Sequence, residues 1–412
     1  MRVWLVQTGE PVPISGPIKR MRTALLADEL ATRGHQVTWW TSSFDHGSRR
    51  FIEDVRPTQH LENGVELRLL PALGYDQSIS FRRYFDHHYV ARNFRKEIRD
   101  ISRPPDLIVA ATPDYHIAAE AADYAIRNNI PYVVDLRDEW PDSIVQMIPT
   151  EALRVVGQFA LSYDFWKLRK TLKRATGLVS MMQSMLEWGL SHARREQGQQ
   201  DRIFYLGTEP PAHPDPTFLV ALKEKLGPEN KMTVVFIGTF GRMNHPEVIL
   251  SALEHIAGQA TQPQLNAIIV GEGDLYATVR RRYEHLPGVH FTGWLSSPQI
   301  ASVLELGDIG VIPAVVERAT FPNKAFSYLA AGLPILTSGH GDLKDLIEQH
   351  KFGKFFEPGN TLMLAKILLY LASNPAVVNT MSQSAQQLYK DRFMSNVIYG
   401  EYSDYLESIV SL

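Results

Sequence analysis

Residues 207–217 read GTEPPAHPDPT, a stretch crowded with proline and almost empty of apolar side chains. Proline has a fixed φ and no N–H to donate, so it does not serve inside a helix or a central strand. The segment therefore reads as an interdomain linker, and the same pattern runs on both sides of it. Upstream, residues 3–7, 36–41 (QVTWWT), 65–70, 107–111 (LIVAA), 132–136 and 178–182 are short strand-like runs separated by helical patterns. In residues 19–33, Leu25, Leu26 and Leu30 fall at helical spacing, and Gly34 stops the helix by taking a left-handed conformation. Downstream, buried-type strands return at 233–237 (TVVFI), 267–270, 289–293, 310–313 and 334–337. Strands alternating with helices make parallel sheets. The expectation is an α/β chain of two Rossmann-like, doubly wound parallel-sheet domains.

Length agrees, since 412 residues exceed what one hydrophobic core usually supports. The expected bounds are a first domain over 1–206, the linker 207–217, a second domain over 218–385, and a C-terminal helix over 386–412 packing back on the first domain. Leu388, Phe393, Ile398, Tyr402 and Leu406 are the anchors of that last stretch. The chain is 44% hydrophobic and 21% charged, ordinary for a globular protein, and its formal charge of −3 offers nucleic acid no general attraction. It holds no cysteine, which excludes disulfides, thiolate nucleophiles and iron–sulfur clusters. The N-terminus enters a strand at once without a signal-peptide pattern, and no run of 18 or more apolar residues occurs. A cytoplasmic enzyme is the expectation, with peripheral contact at the inner face of a membrane left open.

Four segments carry candidate chemistry. In Phe236-Ile237-Gly238-Thr239-Phe240-Gly241-Arg242, a strand ends in glycines that bare backbone N–H groups, and Arg242 adds a cation of fork geometry. The competing reading is a plain strand-to-helix turn. In Ile269-Val270-Gly271-Glu272-Gly273-Asp274-Leu275, another buried strand runs into glycines, where an open sheet places its ligand crevice. Neither segment has the G-x-G-x-x-G spacing of a nicotinamide enzyme. In residues 321–334 (FPNKAFSYLAAGLP), Pro322 and Asn323 form a helix entry and cap, and Lys324 stands in the first turn beside the positive helix end. A lysine there is unfavourable unless it meets an anion; otherwise it is a solvated surface lysine. The fourth, residues 134–142 (VDLRDEWPD), ends a strand of the first domain. Arg137 and Asp138 there orient sugar hydroxyls or an acceptor, with Trp140 stacking on a pyranose, or else form a structural pair that ties the loop down.

Taken in order, these segments resemble the GT-B glycosyltransferases of family 4, above all the bacterial enzymes that build O-antigen, capsule and related surface glycans. The resemblance covers nearly the whole chain. It implies two domains facing across a cleft, the donor nucleotide on the C-terminal domain and the acceptor on the N-terminal one. It implies transfer from a nucleotide-diphosphate sugar, a UDP-sugar first among them, with retention and without a cofactor or metal; no D-x-D triplet occurs. The loop 9–19, with Gly16, corresponds to the family's glycine-rich loop against the diphosphate, and Arg242 to its phosphate-binding arginine. The lysine that usually follows is replaced by Asn244 and His245, with Lys324 as the compensating cation. Of the family's paired glutamates, the second position holds Ser327 and the first Ala319, with Glu317 two residues upstream. His116 is an offset match to the family's cleft histidine. Catalytic expectations thus fall on Arg242, Lys324, Asp138 and His116, and donor-binding ones on Gly16, Gly241, Gly271, Gly273, Glu317, Asn323 and Ser327.

Two first-domain stretches are basic and aromatic: Phe81-Arg82-Arg83-Tyr84-Phe85 and Phe165-Trp166-Lys167-Leu168-Arg169-Lys170. They suit an anionic membrane surface bearing a polyprenyl-diphosphate-linked acceptor, or they are a core stripe under a charged face. The alternatives to a transferase are a GT-B sugar-nucleotide epimerase and a catalytically degenerate relative that binds a sugar nucleotide or a partner transferase.

Overall fold

The computed structural model describes residues 1–14, 20–52, 56–77, 80–227, 231–241, 246–259, 265–314 and 321–411. The chain forms two compact units: Met1–Tyr205 with Ile398–Leu412, and Leu206–Val397.

The first unit runs β1 (Arg2–Val6), α1 (Arg22–Thr32), β2 (Gln36–Ser42), β3 (Phe44–Asp45), β4 (Arg50–Phe51), β5 (Thr58–His60), β6 (Glu66–Leu70), α2 (Phe81–Glu97), β7 (Leu107–Ala111), α3 (Tyr115–Arg127) and β8 (Tyr132–Leu136). It continues through α4 (Asp142–Gln146), α5 (Glu151–Ala160), α6 (Ser162–Lys173), β9 (Gly177–Ser180), α7 (Gln183–Ala193) and β10 (Arg202–Ile203). Its sheet has the order β10-β9-β8-β7-β1-β2-β6-β5. All pairings are parallel except β5 with β6 at one edge. Strands such as β7 and β8 are buried along their whole length, as they must be with helices on both faces. That is why they read as unbroken apolar runs. Gly34 takes φ 82° just after α1, the left-handed stop expected of it.

The second unit holds α8 (Pro216–Leu226), β11 (Thr233–Ile237), α9 (Glu247–Ala257), β12 (Asn266–Val270), α10 (Tyr276–Tyr283), β13 (Val289–Gly293), α11 (Ser297–Leu306) and β14 (Ile309–Ile312). After these come α12 (Asn323–Ala330), β15 (Ile335–Thr337), α13 (Asp342–His350), β16 (Gly353–Phe355), α14 (Thr361–Ala372) and α15 (Pro375–Arg392). Its six-stranded sheet has the order β13-β12-β11-β14-β15-β16, parallel throughout. In each unit the strand order reverses beside the first strand, between β7 and β1 and between β14 and β11. An open αβ sheet places its ligand crevice outside the carboxyl ends of the strands at such a point.

The proline-rich segment is fastened to the second unit. The Tyr389 hydroxyl donates to the Thr208 carbonyl at 2.9 Å, and Asp215 N–H donates to Ser302 Oγ at 3.0 Å. The final helix α16 (Ser395–Val410) buries Tyr399, Tyr402, Leu406 and Ile409 against the first unit, where Tyr402 stacks on Phe204 at 4.4 Å. All five expected anchors of the C-terminal stretch are buried. The stretch is two helices rather than one, since Phe393 and Met394 break it and Met394 bridges to Thr208.

Among the described residues no single helix is long and apolar enough to cross a membrane.

Candidate functional site

In the second unit the loops after β11 and β12 lock together through backbone. Gly238 N–H donates to the Val270 carbonyl at 3.1 Å, and Phe240 N–H to the Glu272 carbonyl at 2.9 Å. Gly271 (φ 127°) and Gly273 (φ 148°) make that approach possible: a Cβ on Gly271 would stand 1.9 Å from the Gly238 oxygen. Gly241 differs, because among the described residues a Cβ there meets nothing within 4 Å.

Helix α12 is pinned over the same strand end. The Tyr328 hydroxyl accepts from Ile237 N–H at 3.0 Å and donates to the Val235 carbonyl at 3.3 Å. That fixes the first turn so that Lys324 Nζ lies 4.7 Å from the centre of the Phe236 ring. The ammonium sits over Gly238, where an added Cβ would come within 2.7 Å of it. Burial pulls the Lys324 ammonium down to about 8. Asn323 is not the cap expected of it. Pro322 occupies the N-cap without a side-chain hydrogen bond, and Asn323 is the first helical residue, exposed to solvent. Ser327 lies one turn on, half-buried. Gly16, Arg242, Ala319 and Glu317 lie outside the described residues.

The strand ends of the first unit carry a different chemistry. A cavity beside β1 and β7 is lined by Thr8, His46, Tyr75, Arg83, His87 and Asp114, among others. Asp114 caps α3, accepting from the N–H groups of His116 and Ile117, and also accepts from the Thr8 hydroxyl at 3.1 Å. His46 Nδ1 and the Tyr75 hydroxyl are 2.7 Å apart. Burial, and then the neighbouring Arg83, lower the His46 imidazole from its usual value; burial also lowers His87. The cavity thus offers neutral imidazoles, a carboxylate and a hydroxyl, a set suited to ligand hydroxyl groups.

The 134–142 segment behaves as a brace. Arg137 pairs with Asp135 at 2.8 Å and with Glu10, not with Asp138. Arg22, only 2% exposed, grips the same Asp135 at 2.9 Å and donates to the Phe204 carbonyl at 2.7 Å. Burial opposes the Asp135 charge, yet Arg22 and Arg137 outweigh it and hold the carboxyl below its ordinary value. Glu10 in turn accepts from Thr23 N–H in the first turn of α1. Asp138 accepts from Glu139 N–H at 2.7 Å and the Ser143 hydroxyl at 3.1 Å. Trp140 is not an open stacking platform, because it is buried against His87 with Arg83 at 4.4 Å from its ring centre. His116 is 1% exposed and does not line the cavity; burial drives it far toward its neutral form. No local motif in the sequence marks His46 or His87, and Arg83, expected on a basic membrane-facing stretch or a core stripe, lines this cavity instead.

Two family models match the chain: "Glycosyl transferase 4-like domain" over residues 20–227 and "Glycosyl transferases group 1" over residues 231–374. The sulfoquinovosyl transferase SQD2 of Arabidopsis thaliana is 22% identical over 270 residues, 64% of this chain and 49% of that protein. The amylovoran biosynthesis glycosyltransferase AmsK of Erwinia amylovora is 26% identical over 148 residues, 34% of this chain and 36% of its own. The chain thus spans about half the length of the first of these relatives and about a third of the second. Among solved structures, a sucrose-phosphate synthase from Thermosynechococcus elongatus superposes with a TM-score of 0.74 at 16% identity, covering 100% of this chain and 99% of that one. HepE from Anabaena, in complex with UDP, gives 0.67 at 16% identity and 99% coverage of both chains. The fold of the chain is therefore GT-B.

Proposed function

The chain belongs to the glycosyl transferase 4-like family, and from that premise we propose that it moves a glycosyl group from a nucleoside diphosphate sugar, with UDP as the favoured nucleotide, to a glycan or lipid-linked acceptor. The observation that carries this reading is Lys324, a half-buried ammonium set over the glycine turn at the strand-order reversal of the second unit. Departure of a nucleoside diphosphate builds negative charge on the β-phosphate. A preorganised cation there stabilises it by about 3–4 kcal/mol per well-placed donor. Arg242 is the proposed second cation, so the reaction proceeds without a metal on the donor phosphates. HepE has been solved with UDP and with UDP-glucose, which supports UDP as the first nucleotide to try.

In the first unit, the cavity of Thr8, His46, His87 and Asp114 is the proposed acceptor side, and Asp138 reaches its lining through Thr112, whose hydroxyl donates to the Asp138 carbonyl at 3.4 Å. Retention is proposed from the family likeness. A role in bacterial surface polysaccharide is supported by the likeness to AmsK.

A membrane-borne acceptor gains support from the surface. Phe81 and Phe85 on α2, Phe159 on α5, and Tyr163 and Trp166 on α6 are all exposed. Lys167 and Lys170 lie against the Tyr163 and Trp166 rings at 5.8 and 5.6 Å. Helix α5 buries none of its residues, although Leu153, Val155, Val156 and Phe159 are apolar. Such a face suits the headgroup layer of an anionic bilayer.

The test is thermal stabilisation by UDP, GDP, ADP, CMP or dTDP, followed by transfer assays with the matching sugars. At 100 times its dissociation constant a ligand stabilises by about 2.7 kcal/mol. One nucleotide that stabilises and supports transfer upholds the proposal. Stabilisation without transfer or hydrolysis favours the second reading, a non-catalytic binder, for which Ser327 at the expected glutamate position is the supporting observation. No stabilisation by any of the five overturns both.

A further inference from the structure

Beneath the aromatic face of the first unit, three helices bring together two imidazoles and a carboxylate. His88 comes from α2, His116 from the first turn of α3 and Asp164 from the first turn of α6. One ligating atom from each lies within 4.8 Å of the others. His116 and Asp164 are each 1% exposed. The Nε2 of His116 stands 3.6 Å from Asp164 Oδ1, past hydrogen-bond length, and its Nδ1 is buried with no hydrogen-bond partner. The His88 ring lies face-near at 3.7 Å between centroids. The Tyr84 hydroxyl donates to Asp164 at 3.1 Å and closes one side of the group. Tyr115 bonds to the same carboxylate and Lys167 lies near both imidazoles, but among the described residues His116 Nδ1 has no partner, a cost of burial that a bound cation would relieve.

We propose that His88, His116 and Asp164 bind a single transition-metal dication of the zinc class, tying α2, α3 and α6 together under the exposed aromatic face. Two nitrogens and one oxygen match the donor preference of zinc and its first-row neighbours, whereas magnesium and calcium take oxygen ligands. Metal–nitrogen bonds of about 2.0 Å at a tetrahedral angle need ligand separations of about 3.3 Å, so the group contracts slightly on binding. His88 is the half-exposed member, and water completes the set on its side. The site is structural and is separate from the donor phosphates of the proposed transfer.

The experiment uses the full chain stripped with a chelator, then titrated with Co2+ and followed by its visible d–d absorption, with Zn2+ as competitor. The expected result is one equivalent of low-symmetry Co2+, displaced by Zn2+, with a higher melting temperature for the loaded protein. His88→Gln leaves the fold intact, because His88 is half-exposed, and weakens Co2+ binding at least about tenfold. His192→Gln, which removes a histidine paired with Asp142 at 2.9 Å elsewhere in the unit, leaves the binding unchanged. Absence of any retained equivalent overturns the proposal, as does equal binding by wild type and His88→Gln.

Discussion

The two sets of strand ends are built from opposite materials. In the first unit charge is spent internally: Arg22, Arg137, Asp135 and Glu10 satisfy one another and brace the loop after β1. In the second, the loops after β11 and β12 are held by glycine backbone, and Lys324 stands over them. Charges that are mutually satisfied stabilise geometry and leave little to offer a ligand. Lys324 is an ammonium lowered by burial at a turn whose backbone is already hydrogen-bonded, so a bound anion would favour its charged form. A buried charge is thus held by opposite charges in the first unit, while in the second it stands over a turn held by backbone.

The comparison is broken most strongly at Asp135. Asp135→Ala takes the carboxylate from the buried Arg22 and leaves Arg137 with Glu10 alone, and we expect a loss of about 3–5 kcal/mol, read in denaturant unfolding of the full chain. The acid limb follows the same carboxyl. Its folded value lies below the ordinary carboxylate value of about 3.9, so its stabilisation is present above that value and is lost as pH falls through the folded one. Gly271→Ala comes next, at about 1–3 kcal/mol, because the new methyl meets the Gly238 carbonyl. Its nucleotide affinity falls with it, and retention of full affinity would remove the glycine turns from the site.

Lys324→Ala sharpens the contrast: transfer falls at least about tenfold, equivalent to 1.4 kcal/mol, with no loss of melting temperature. Its folded value near 8 lies below the ordinary lysine value, so the charged group costs stability at low pH and that cost is relieved only as pH rises through 8. Nucleoside diphosphate binding therefore takes up a proton near pH 8, and affinity declines as pH rises through that value. Calorimetry in buffers of different ionisation enthalpy reads the uptake directly. The smallest effect on stability belongs to Phe159→Asp, within about 0.5 kcal/mol of wild type. It should nonetheless weaken binding to anionic vesicles in sedimentation, an interaction that also falls with salt.

Strands were legible because a strand covered on both faces is an unbroken apolar run, as in residues 107–111 and 233–237. Lys324 was legible because a lysine in a first helical turn opposes the local dipole. The brace was not, since Arg22 and Asp135 are 113 residues apart and only the folded sheet joins them. One clue existed: Asp135 is a carboxylate inside a fully buried strand, which demands a cationic partner. The sequence leaves Arg137 either a ligand contact or a structural pair with Asp138, and the structure pairs it instead with Asp135, two residues upstream, and with Glu10. The cap assigned to Asn323 failed in a similar way, because Pro322 takes the extended position just before the helix. Helix α5 drew no notice, since its exposed apolar face has the composition of a core helix.

The return of α16 sets an order of events on the ribosome. Tyr402 and Leu406 complete the apolar layer around Leu5, Leu26 and Phe204, and they are made only after the whole second unit has been synthesised. The second unit is continuous in sequence and can close as it emerges. The first unit, although translated earlier, keeps an uncovered apolar flank through all of that time. The half that is born first is finished last.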